Sequence, residues 1–168
     1  MKKFILLLLA TALITVFWTC EEDADDPVPE VDKVFITKVE MTGIPFLDPN
    51  GDDWDLAFDP KPDVYFILST DTAIDAADST NWIDKYGANY SEASQGDLPL
   101  NWHLVNPFEI TDWSQAFYVK AYDKDQIGES DFMGITGPFV VADIVYDKAP
   151  STTKTSGELQ VKIYWSYE

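Results

Sequence analysis

Between Leu159 and Ser166 the chain repeats with a period of two: Leu159, Val161, Ile163 and Trp165 alternate with Gln160, Lys162, Tyr164 and Ser166. Successive side chains of a strand point to opposite faces, so this stretch must be a strand with one buried and one solvated face. Four further segments are rich in β-branched and aromatic residues: "KVFITKVEMTG" (33–43), "DVYFILST" (63–70), "AFYVKAYD" (116–123) and "GPFVVADIV" (137–145). The helical signal is weak throughout. Short strands separated by Gly, Pro, Asn and Asp clusters predict an all-β fold, an antiparallel β-sandwich of about eight strands. Residues 43–62 and 71–101 read as long loops, the second irregular or holding a short helix near "STNWIDKYG". Loops this long in a small domain are often functional.

The N-terminus stands outside that fold. Lys2 and Lys3 precede "FILLLLATALITVFW", 15 residues without a charge, short of the roughly 20 that span a bilayer. Residues 1–19 therefore read as a secretory signal peptide. It ends at Cys20, the single cysteine of the chain, so no disulfide framework can form. A lone cysteine directly after a signal core resembles the acylation site of bacterial lipoproteins. That resemblance implies a lipid on Cys20 and anchorage in the bacterial outer membrane. The acidic, Pro-containing stretch that follows cannot bury a core, and residues 20–32 are expected to be an extended tether. It also resembles the export signal of surface-displayed lipoproteins. The domain proper is then 33–168.

Charge narrows the partners. The chain carries 30 acidic residues against 11 lysines and no arginine, a net −19 that becomes −21 once Lys2 and Lys3 are removed. Nucleic-acid binding needs a basic face to meet phosphates, so it is excluded. Divalent cations are the natural counter-charge.

The acidity is concentrated in loops. "AYDKDQIGESDFMG" (121–134) holds Asp123, Asp125 and Asp131, with Gly128 at the bend. Aspartates two residues apart at a strand end point to one side, and a third can fold back across the turn to close a cup. Three carboxylates do not complete a calcium shell of six to eight oxygens. The acidic loop "LDPNGDDWDLAFDPKPD" (47–63) is the obvious second supplier, with Asp48 at its start and Asp59 and Asp63 at its end. Asp52, Asp53 and Asp55 read as solvated loop residues. Asp48, Asn50 and Asp52 also fall at alternate positions of a helix–loop–helix calcium loop, but Asp53 stands where that pattern needs glycine.

The strand followed by "LDPNG", the aspartate leading into "VYF", and the later "AYDKDQIGESDFMG" together resemble the calcium-binding C2 domain family. The resemblance covers most of residues 33–167 in order and is sharpest in the two loops. It implies Asp48 and Asp63 as ligands from the first loop, with Asp59 as an additional one. From the other loop it implies Asp123, Asp125 and Asp131. Backbone carbonyls near Leu47 and Lys124 would complete the shell. It further implies a circularly permuted (type II) arrangement, because one strand precedes the first loop and another closes the chain. In the family, apolar loop-tip residues meet lipid; here those would be Trp54, Leu56, Phe58 and Ile127, although the alternating Trp54, Leu56 and Phe58 read equally as residues packed beneath a long loop.

The function these readings predict is non-enzymatic: calcium held between loops 43–63 and 123–131, supporting contact with a phospholipid, glycan or protein partner. The single histidine, His103, offers no catalytic arrangement, and carboxylates this dense need a cation to stay ionised. Two alternatives stand beside it. One is a glycan-binding surface lipoprotein using Trp54, Trp82, Trp102 or Trp113 as stacking platforms. The other is a calcium-independent C2-like scaffold.

Overall fold

Two four-stranded antiparallel sheets face each other across an apolar core. The computed structural model describes residues 30–55, 60–74, 82–125 and 130–168, with backbone alone for 82–89. Its strands are β1 (Val34–Gly43), β2 (Val64–Ser69), β3 (Trp82–Tyr90), β4 (Leu100–Ile110), β5 (Tyr118–Asp123), β6 (Asp131–Ile135), β7 (Ser151–Ser156) and β8 (Leu159–Tyr167). One sheet has the order β4-β1-β8-β7 and the other β3-β2-β5-β6. The chain is thus the all-β sandwich that the alternating segments predict. Val31–Glu168 forms one compact unit.

β8 keeps its alternation to the letter: Leu159, Val161, Ile163 and Trp165 are buried, and the residues between them are only partly so. β1 departs from it once. Val34 and Ile36 point inward, then Thr37 and Lys38 together oppose Tyr164, and the inward set resumes as Val39 and Met41. This bulge absorbs one extra residue. Without it Lys38 and Glu40 would face the core, since a one-residue slip exchanges the two faces of a strand. Thr37 Oγ1 donates to the carbonyl of Tyr164 at 3.2 Å and holds the irregularity in place.

β2 is buried along its whole length. Val64, Phe66 and Leu68 enter the inter-sheet core, whereas Tyr65 and Ile67 pack with Tyr122 on the other face. Lys120 is opposite Ile67 and fully buried. Its ammonium donates to Ser69 Oγ at 3.0 Å, Asp71 Oδ1 at 2.6 Å and the Ala73 carbonyl at 2.7 Å. All three ammonium protons therefore have acceptors, which a buried charge requires.

Two segments differ from the sequence reading. The region around "STNWIDKYG" supplies β3, an edge strand paired with β2, where an irregular connection or a short helix was expected. Residues 137–145 do not form a regular strand. Phe139 makes one isolated bridge to Phe117, and Val141–Asp143 is a single 3₁₀ turn. Phe139 instead stacks on Phe117 and meets Trp165 edge-on, closing the core.

Candidate metal centre

β5 ends at Asp123, which lies opposite Val64 of β2 and Asp131 of β6. Its carboxylate falls on the inward side of the strand, at the rim where the two sheets part, and it is fully buried. Oδ1 accepts the backbone N–H of Asp63 at 2.6 Å. Oδ2 is buried and accepts no hydrogen bond among the described residues. A buried carboxylate oxygen with no donor is costly, so this atom asks for a ligand.

Two more carboxylates gather around it. Oxygens of Asp55, Asp123 and Asp125 all lie within 4.8 Å of one another, with Asp55 and Asp125 half-buried. Burial, together with the charges of Asp55, Asp125 and Asp63, pushes the Asp123 carboxyl up to about 6, although the Asp63 N–H opposes the rise. Burial and the neighbouring Asp131 charge raise Asp125 as well. Like charges crowded in a partly dry site behave this way unless a cation neutralises them. Three hard oxygen donors on one cup suit a divalent cation such as calcium.

Asp55 reaches the cluster through the loop after β1. A Cβ at Gly43 would lie 2.8 Å from the Glu158 carbonyl, so the chain can leave the sheet there only with glycine. Ile44 is buried, and Phe46 and Trp54 pack against the core. Between them Asp48 closes a tight turn: Oδ1 accepts the N–H groups of Asn50 and Asp52, both at 2.8 Å, and Oδ2 accepts the Asn50 side-chain amide at 2.9 Å. These donors, the Asp52 amide foremost, hold the Asp48 carboxyl below its usual range. The Trp54 indole N–H then donates to the Pro45 carbonyl at 3.0 Å, which fixes the residue directly before Asp55.

The residues singled out from sequence therefore separate. Asp123 and Asp125 stand in the cluster. Asp131 pairs with Asp123 across the strands but is exposed and outside the three-carboxylate group. Asp48 is engaged by its own turn, and Asp63 Oδ1 accepts the Glu92 N–H at 2.8 Å. Asp55, read from sequence as a solvated loop residue, is the third member. Nothing in its local sequence marks it, because its place depends on the Asp48 turn and the Trp54 anchor. Asp59, Leu56, Phe58 and Ile127 lie outside the described residues, as does Cys20 with the rest of 1–29.

Of the tryptophans named as stacking platforms, one is buried and two are half-buried. Trp102 is 5% exposed and meets Phe66 and Tyr90 edge-on. Trp113 packs against the core with its indole N–H on the Ile110 carbonyl at 3.1 Å. Trp54 is half-buried in the same way, and the Trp82 side chain lies outside the described residues.

A scan against protein-family models gives no match for this chain, and a search of the curated proteins gives none either.

Proposed function

We propose that residues 33–168 form a C2-like, non-enzymatic module that binds a divalent cation, calcium by preference, between Asp55, Asp123 and Asp125. The observation that carries this reading is Asp123 Oδ2: fully buried, without a donor among the described residues, and close to two further carboxylates. A solvated acidic turn would leave its oxygens in water. Calcium accepts six to eight oxygens and tolerates irregular geometry. Three carboxylates would supply the charge, and backbone carbonyls and water the remaining positions.

The charge-free core, Cys20 and the acidic stretch after it support reading this module as part of a lipid-anchored, exported protein of the bacterial outer membrane. Extracellular calcium modules work at about 10⁻⁴–10⁻³ M, so the ion would act as a structural clamp that shapes a face for a phospholipid, glycan or protein partner. The glycan alternative would have to rest on Trp54, Trp82 or Trp113, because Trp102 is buried. Isothermal titration of the metal-free chain with calcium tests the proposal. Saturable binding that Asp123→Asn abolishes is expected, and no binding at millimolar calcium would sink it.

A further inference from the structure

We propose that Asp48 and Asp63 position the cation site without ligating the ion, so that one cation binds per chain on Asp55, Asp123 and Asp125. This rests on the cation reading above and assigns these two loop aspartates a different role from the one the C2 resemblance implies.

A ligand must offer a lone pair aimed at the ion. Asp48 spends both carboxylate oxygens on its own turn, taking two backbone N–H groups and the Asn50 amide. The turn is closed again from the other side, where the Asp48 N–H donates to the Asp52 carbonyl at 2.8 Å. Withdrawing the carboxylate to bind an ion would strand those donors. What the turn accomplishes is the path of residues 52–55, which Trp54 then pins to Pro45. Asp48 thus acts on the ion through Asp55.

Asp63 brackets the other wall. Its N–H holds Asp123 Oδ1 and its carbonyl accepts the Lys124 N–H at 2.9 Å, so it fixes both the orientation of Asp123 and the chain leading to Asp125. Its own Oδ1 is turned to the Glu92 N–H, at a residue with φ 54°. A non-glycine residue there needs such support. Asp123 consequently presents Oδ2 alone, and neither Asp48 nor Asp63 joins the three-carboxylate group.

Ligands and positioning residues respond differently to conservative change. Asparagine keeps the acceptor oxygen that a turn or bracket needs but removes the charge an ion needs. The full-length chain is titrated with terbium, read by luminescence sensitised through Trp54 and the neighbouring tyrosines, and then back-titrated with calcium. One ion per chain is expected. Asp55→Asn and Asp55→Ala should weaken binding alike, by about a hundredfold, because charge count sets affinity. Asp48→Ala and Asp63→Ala should weaken it by about tenfold, as loss of a supporting partner does. Asp48→Asn and Asp63→Asn should restore it to within about threefold of wild type. If either Asn variant binds as poorly as Asp55→Asn, or if two ions bind, the positioning role is wrong while the cation reading stands. If wild type binds no ion, the cation reading fails and takes this inference with it.

Discussion

The backbone N–H of Asp63 grips one oxygen of Asp123 at 2.6 Å and leaves the other buried, with no donor among the described residues. One contact both orients the carboxylate and exposes its need for a ligand.

Metal-free stability should depend on pH in the direction opposite to most carboxylates. The folded-state value of Asp123 is raised to about 6 from the ordinary 3.8, so between those limits the folded chain binds more protons than the unfolded one. Stability then falls as pH rises from about 4 to about 6 and levels off above, by on the order of 3 kcal/mol. Melting temperatures in chelator across pH 4–8 check this. A curve that rises through the window would contradict it.

Asp123→Asn should stabilise the metal-free chain at pH 7 and remove that pH step. Its side-chain oxygen can still accept the Asp63 N–H, and its amide can donate to Asp55 and Asp125. The expected gain is about 1–3 kcal/mol, read by urea unfolding in chelator. A loss of stability would mean that the carboxylate is not strained in the empty cup.

Lys120→Met should destabilise the domain by about 3 kcal/mol, because Asp71, Ser69 and Ala73 lose the buried cation that joins them. Those partners follow the far end of β2, away from Val64 and Asp123. The calcium-induced rise in melting temperature should therefore survive. Loss of both together would show that the two ends of the sandwich are coupled.

Gly43→Ala should cost about 1–3 kcal/mol, since its methyl group would meet the Glu158 backbone carbonyl, in the tight β7–β8 turn, at 2.8 Å. Calcium affinity should weaken with it, because loop 44–55 departs from that residue. Unchanged stability would mean that the two strand ends separate freely.

Sequence disclosed β1 and β8, where one face is wet and the other buried. β8 alternates without interruption, and β1 does so on either side of the Thr37 bulge. Residues Ser151–Ser156 carried no such signal, because β7 is an edge strand with no fully buried residue. Residues 137–145 misled for the opposite reason. A short apolar run looks like a strand, yet Phe139 and Val141 reach the core from a bridge and a 3₁₀ turn. In the three-carboxylate cluster, the proximity of Asp123 and Asp125 was legible because a strand end fixes their spacing. Asp55 was not. It is brought in by a turn that Asp48 closes and by an indole that docks nine residues back, which are tertiary facts that spacing alone does not encode.

The most direct test of the central claim is thermal unfolding of wild type and Asp125→Ala, in chelator and in millimolar calcium. A ligand that binds only the folded state stabilises it by RT ln(1 + [L]/Kd), about 2.7 kcal/mol at a hundredfold excess over Kd. Calcium should raise the wild-type melting temperature and leave that of Asp125→Ala unmoved. Equal curves for wild type with and without calcium would contradict it, and Asp55, Asp123 and Asp125 would then be an acidic rim that holds no ion.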